Sequence, residues 1–243
     1  MQKALAIIAS NAPSELEYVL EKDGFEVLRI PPSPFLDTPV QTHADMLIFP
    51  IADTVFCHES FAKENADLIS KFSEYGYKTR AIGGEYRKEY PHDVRFNAAL
   101  VGKHLFIGAR TDANEICEYA QNNGFSVTRV NQGYTKCSTC IISKNAIITA
   151  DMTIEKAAKE HGIDVLMIQE GHVDLFGYSH GFIGGASGAF DDVVYFVGDV
   201  KLHPNGDAIL EFCKKHDKKI SNIENRKLFD IGSIIFLPTV DFN

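Results

Sequence analysis

What the chain lacks narrows its class before any motif is read. No apolar run approaches the ~18 residues of a membrane-spanning helix, and the stretch Ala4-Leu5-Ala6-Ile7-Ile8-Ala9 is shorter than a secretory signal's apolar region of at least ~7 residues. Basic residues are the minority: 24 Lys and Arg face 33 Asp and Glu, for a formal net charge of -9. That balance leaves no footprint for nucleic acid or an anionic membrane. The densest basic run, Lys214-Lys215-His216-Asp217-Lys218-Lys219, reads as a solvated helix end. Cysteine is sparse and odd in number (Cys57, Cys117, Cys137, Cys140, Cys213), unlike a secreted disulfide framework, so reduced thiols and a cytoplasmic setting are expected. Cofactor fingerprints are missing too. The glycine-rich GFIGGASG is followed by no Gly-Lys-Ser/Thr, holds no G-x-G-x-x-G and does not place Ser187 in G-x-S-x-G. No cofactor is expected, and the run reads as close backbone packing.

What is present is a repeat. An amphipathic stretch, a Gly or Asp stop and a short strand recur as EKDGFEVLRI, SEYGYKTRAI, QNNGFSVTRV, KEHGIDVLMI and KKHDKKISNI. Gly24, Gly76, Gly124 and Gly162 hold the stop, where a left-handed residue closes a helix, and Asp217 holds it in the fifth copy. Ser14-x-x-Glu17 and Asp112-x-x-Glu115 fit capping boxes at helix starts. A second phrase recurs between these units: DMLIFPIADTVFC, FNAALVGKHLFIGA, CSTCIISKNAIITAD, GASGAFDDVVYFVGD and DIGSIIFLP, each read as a hairpin. Aligning them places Asp151 and Asp199 just before a helix. The unit is therefore hairpin, helix, strand, or ββαβ. The last phrase has no helix after it, and the helix at 14–22 has no full hairpin before it, so the two ends should complete one unit and close a ring. Residues 1–243 read as a single α/β domain with five such repeats, an α/β propeller, and the segment from Pro31 to Thr42 as an irregular surface loop.

Five units of this kind around a pseudo-fivefold axis resemble the pentein fold of the guanidino-group modifying enzymes, such as agmatine and arginine deiminases. The most specific local match is Gly171-His172-Val173-Asp174, which is similar to the Gly-His-x-Asp element that carries the general acid/base histidine in agmatine deiminases. The run GYSHGFIGGASG is closer to an uncharacterised bacterial family of this fold. The resemblance implies a hydrolase or deiminase acting on a small cationic guanidino compound. A non-catalytic pentein that binds a ligand or protein partner is the alternative. Two departures stand out. The stretch that matches the deiminases' nucleophile segment, Asp230-Ile231-Gly232-Ser233-Ile234-Ile235, contains no cysteine, and the nearest match to their Glu-Gly-Gly-Asp element, Ile183-Gly184-Gly185-Ala186, has neither acid.

In a closed ring, loops after equivalent strands emerge on one side, so a site can gather residues distant in sequence. That rule selects His43 and Asp45; Glu85 and Asn97; Gln132, Lys136 and Cys137; Glu170, His172 and Asp174; and Asp230. His172 and Asp174 would share one face of an extended segment, as would His43 and Asp45. The expected roles are His172 as acid/base, Asp174 and Asp45 as carboxylates for a guanidinium, and Cys137 as nucleophile, with His43, Asn97, Glu170 and Asp230 contacting substrate. Cys137 and Cys140 form a Cys-x-x-Cys, but neither the helix N-terminus of a redox pair nor two further zinc ligands accompany it, so no metal is expected.

Overall fold

The computed structural model describes residues 4–240. The first unit holds β1 (Ala4–Ala9), α1 (Ser14–Lys22) and β2 (Glu26–Ile30). The second holds a short helix α2 (Ala44–Leu47), β3 (Ile48–Ile51), β4 (Thr54–His58), α3 (Glu59–Glu64), α4 (Ala66–Glu74) and β5 (Lys78–Ile82). The third is β6 (Ala99–Val101), β7 (His104–Gly108), α5 (Asn114–Asn122) and β8 (Ser126–Val130). The fourth is β9 (Thr139–Ser143), β10 (Ala146–Thr149), α6 (Met152–Glu160) and β11 (Asp164–Met167). The fifth is β12 (Ser187–Phe190), β13 (Val193–Phe196), α7 (Gly206–Lys215) and β14 (Lys219–Asn222), and the chain ends in β15 (Ile235–Pro238).

These strands form five three-stranded sheets with one topology. A middle strand pairs antiparallel with an inner strand and parallel with an outer one, as β7 does with β6 and β8. The antiparallel pair needs only a tight turn, whereas the parallel pair needs a crossover, which the helix supplies. The inner strands gather at the centre, with β9 beside β6 and β12, and β12 beside β15. In the first sheet β15 pairs with β1, so the final phrase contributes one strand rather than a hairpin and the chain's two ends close the ring. This is the pentein arrangement.

The helices and their stops repeat in register. The pairs Leu16/Leu20, Leu68/Phe72, Ile116/Ala120, Ile154/Ala158 and Ile209/Cys213 are buried in the five crossover helices, each spaced to lie on one helix face. Full burial of a Leu or Ile side chain is worth roughly 1.5–3 kcal/mol. The residue after each stop donates its N–H to the second member of its pair: Phe25 to Leu20, Tyr77 to Phe72, Phe125 to Ala120, Ile163 to Ala158 and Lys218 to Cys213. This is the Schellman closure, and it requires the stop residue to be left-handed. Gly24, Gly76, Gly124 and Gly162 have φ of 90, 86, 76 and 71°, and Asp217 has 56°.

Helix starts differ from the sequence reading. Asp151 caps α6 by accepting from Thr153 and Ile154 N–H, and Asp199 accepts from Lys201 N–H. Neither expected capping box forms: α1 and α5 have no side-chain cap. Glu17 is drawn instead to Arg29, at 2.7 Å, and Arg29 also donates to the carbonyls of Ser10 and Ala12. Arg129, at the same repeat position, likewise ties down the Gly108 and Thr111 carbonyls. The proline-rich segment is more than surface loop, since Leu36 and Val40 are buried in the core and Pro39 packs against Gly177. All five cysteines are free and buried. No helix among the described residues is long and apolar enough to cross a membrane.

Candidate functional site

The segments leading into the inner strands converge on the ring axis, and each delivers polar groups there. Ahead of β3, His43 precedes the single turn of α2 and Asp45 lies within it, both buried. Asp45 is held in place by its backbone N–H, which donates to Gly232 O. Ahead of β6, Asn97 clamps the segment ahead of β9: its Oδ1 accepts from Lys136 N–H (2.7 Å) and Cys137 N–H (3.2 Å), and its Nδ2 donates to Cys137 Sγ (3.1 Å). Ahead of β15 stand Asp230 and Ser233, both buried.

Two glycines of the run ahead of β12 make room for Asp230. An added Cβ at Gly185 would stand 1.9 Å from Asp230 Oδ1, and one at Gly181 would stand 2.5 Å from its Cβ. At Gly184 the neighbours are backbone instead: an added Cβ would come within 2.4 Å of the Lys136 and Thr139 carbonyl oxygens. The glycines thus let backbone close around a buried carboxylate, as the close-packing reading of GFIGGASG expects. Asp230 is fixed by Phe182 N–H and Gly232 N–H, each 2.9 Å from a carboxylate oxygen.

A continuous polar chain crosses the axis. Lys136 Nζ donates to Ser233 Oγ (2.9 Å), Ser233 Oγ donates to Asp45 Oδ2 (2.5 Å), and Cys137 Sγ donates to the same oxygen (3.1 Å). His43 Nδ1 lies 3.8 Å from Asp230 Oδ1. Two buried atoms of the cluster make no hydrogen bond among the described residues: His43 Nδ1 and Asp45 Oδ1. A cavity of about 200 Å³ opens on His43, Cys137 and Asp230, and Tyr134, Tyr178 and Phe182 wall it. Asp45 and Lys136 face a second cavity of about 260 Å³ between the inner strands.

Burial dominates the ionisation of this cluster. It pushes the Asp45 carboxyl up, against the pull of His43 and Lys136 and with help from the Asp230 charge. It raises Asp230 to about 6, opposed by the two N–H donors and by Lys136. It lowers His43 to about 4, opposed by Asp45. Cys137 is driven well above an ordinary thiol by burial and then by the two carboxylates, with the Asn97 hydrogen bond acting the other way. Left to itself, the cluster holds its thiol protonated. A cation placed among these groups would oppose that preference.

The structure brings together His43, Asp45, Asn97, Cys137 and Asp230. Among the described residues no side-chain hydrogen bond or ion pair links His172, Asp174 or Glu170 to this group; Asp174 meets it through its backbone, its carbonyl accepting from Asp230 N–H at 2.9 Å. Val173 is the buried residue of that segment, so its two neighbours face outward. His172 and Glu170 line a separate cavity of about 230 Å³, with Phe182 common to its wall and that of the axial one. His172 packs edge-on to His203, Glu170 Oε1 lies 3.5 Å from His180 Nε2, and Asp174 faces Lys227 at 3.9 Å. His43 and Asp45 also differ from the extended geometry expected, since Asp45 lies in a helical turn. Glu85 pairs with Arg87 at the surface, and Gln132 donates to Asp151. The sequence reading missed Ser233. Its register was the available signal: Ile235 opposes Ile7 as Ala99 opposes Phe106, which makes Ser233 the counterpart of Asn97.

Comparisons with known proteins agree with this architecture. A family model described as "Family of unknown function (DUF6873)" matches residues 7–235. Comparison with curated proteins gives no match. Among solved structures, DDAH from Pseudomonas aeruginosa, a mutant complexed with citrulline, superposes with a TM-score of 0.60 at 12% identity, covering 92% of this chain and 93% of that one. SxtG, an amidinotransferase from Microseira wollei in the saxitoxin biosynthetic pathway, gives 0.58 at 11% identity over 92% and 89%. The N-terminal domain of ArgZ bound to product, an arginine dihydrolase of the cyanobacterial ornithine-ammonia cycle, gives 0.57 at 12% identity over 91% and 90%. These are pentein-fold, guanidino-modifying proteins, and at such identities the likeness establishes the shared fold.

Proposed function

The chain belongs to the family of unknown function DUF6873, and we propose that it binds a small guanidinium-bearing cation in the axial cavity and hydrolyses a C–N bond of that group through Cys137. The observation that carries this reading is the placement of two buried carboxylates beside the Cys137 thiol: Asp230 lines the aromatic-walled axial cavity with it, and Asp45, which faces the second cavity, accepts the thiol's hydrogen bond. A guanidinium is planar and permanently charged; it matches carboxylates through paired hydrogen bonds and stacks on aromatic faces. Asp45 Oδ1 is an unused acceptor, and Tyr134 and Phe182 stack with centroids 6.0 Å apart in the wall.

The same charge supports the chemistry. Attack at the central carbon needs a thiolate, and a bound cation beside Cys137 offsets the carboxylates that keep it protonated. The thiol proton already points at Asp45 Oδ2. The leaving amine needs a proton, and Asp45, which takes one from the thiol, can return it; His43, which burial lowers to about 4 and so holds neutral at pH 7, stands beside Asp230 to take a proton from the water that releases the Cys137 adduct. The test is release of ammonia or amine from arginine, agmatine and methylated arginines, with a haloacetamidine as covalent probe. Turnover or stoichiometric labelling of Cys137, both lost in Cys137→Ala, supports the reading. Absence of both moves the weight to a binding protein, which the raised thiol pKa of the cluster also suits.

A further inference from the structure

We propose that His43, Cys137 and Asp230 bind one thiophilic divalent cation of the zinc class on the floor of the axial cavity. One ligand atom from each of these three buried side chains lies within 4.8 Å of the other two. They come from three different units of the ring, and no two are neighbours in sequence. Imidazole, thiol and carboxylate together are a zinc donor set; magnesium and calcium take oxygen ligands throughout.

An independent observation points to the same place. His43 is 2% exposed, and its Nδ1 makes no hydrogen bond among the described residues, an arrangement that costs free energy unless something occupies that nitrogen. The ligands are also held from behind, as metal ligands are. Asn97 Nδ2 donates to the sulfur, Phe182 and Gly232 N–H groups fix the carboxylate, and an added Cβ at Gly232 would stand 2.2 Å from the His43 Cβ. Coordination needs the thiolate, and Asp45 Oδ2 is placed to receive the proton on its way to solvent. Three protein ligands beside a cavity leave a fourth position for water or an added molecule, the pattern of an open zinc site.

The expectation of no metal was drawn from Cys137-x-x-Cys140, and the donor set proposed here is a different one. Cys140 packs with Ile142, Ile148 and Val194 in a separate apolar cluster and takes no part in the donor set. The inference is independent of the guanidinium reading. Both occupants would need the same floor, so zinc should protect Cys137 from an amidine probe.

The experiment is titration of the metal-free full chain with Co2+, read by absorption. One equivalent should produce the intense visible bands of a four-coordinate site and a near-ultraviolet thiolate-to-cobalt charge-transfer band. Both should be lost in Cys137→Ala and retained in Cys213→Ala, and Asp230→Asn should weaken cobalt at least tenfold. If Cys137→Ala does not fold, X-ray absorption on the zinc-loaded natural chain decides. One sulfur at about 2.3 Å together with nitrogen and oxygen neighbours is the expected result. A saturated titration without a charge-transfer band, a band that survives Cys137→Ala, or two or more sulfurs per zinc overturns the inference. A chain that binds cobalt yet neither turns over nor labels retains the metal site and loses only the guanidinium reading.

Discussion

Ser233 Oγ donates a 2.5 Å hydrogen bond to Asp45 Oδ2, joining the last inner-strand entry to the first where the ring closes. Ser233 holds φ of 72°, a left-handed conformation unusual for a residue with a side chain, and its own N–H is fixed to Gly185 O. Lys136 Nζ reaches Asp45 through this hydroxyl. Ser233→Ala leaves Lys136 without that partner and takes one donor from a buried carboxylate. Denaturant unfolding should show a loss of about 1–3 kcal/mol, and an unchanged midpoint would remove Ser233 from the network.

Ring closure makes the C-terminal strand indispensable. Deleting residues 233–243, of which 241–243 lie outside the described residues, removes β15 and strips one edge of the fully buried β1. The truncated chain should lose its cooperative thermal transition. A transition at the full-length temperature would contradict the closure.

Thiol reactivity follows from burial. Cys57 and Cys213 are pushed up to about 12 and Cys140 to about 11, in each case chiefly by desolvation. The thiolate is the nucleophile, so at neutral pH these three should react with iodoacetamide only on unfolding, and their labelling in the folded chain should rise with pH beyond the usual thiol range. Rapid native labelling of Cys57 at pH 7 would be inconsistent with its environment.

The helix stops allow a comparison of backbone and packing costs. At Gly124 an added Cβ meets nothing within 4 Å, so Gly124→Ala should cost only the left-handed penalty of roughly 1–2 kcal/mol. Gly232→Ala carries the same penalty and also drives a methyl into His43, so it should cost more and disturb the site. Asp217→Gly should stabilise by up to about 1 kcal/mol, because glycine takes the φ of 56° without strain. Chemical denaturation of the three variants measures each effect, and equal losses for Gly124→Ala and Gly232→Ala would show that the contact with His43 is easily relieved.

How much was legible in sequence divides along the range of the forces involved. Helix faces such as Leu16/Leu20, the left-handed stops and the crossover units are set by neighbours within a few residues, so the repeat could be read from spacing, and the resemblance of that repeat to a known fold named the ring. The site depends on contacts between residues far apart in the chain. Asp45, Asn97, Cys137 and Ser233 meet only because five sheets close on one axis, and their selection from sequence used that closure as a premise. His172 shows the limit of a local motif. Gly-His-x-Asp is present, but burial of Val173 turns its neighbours outward, while His43, which has the His-x-Asp spacing without the preceding glycine, is carried to the centre by the turn of α2 and the close approach of Gly232. The pattern of apolar residues along the chain determined the units and their number; the axial cluster was decided by which side chains the closed ring could bury together, a balance of packing and desolvation that exists only in the tertiary structure.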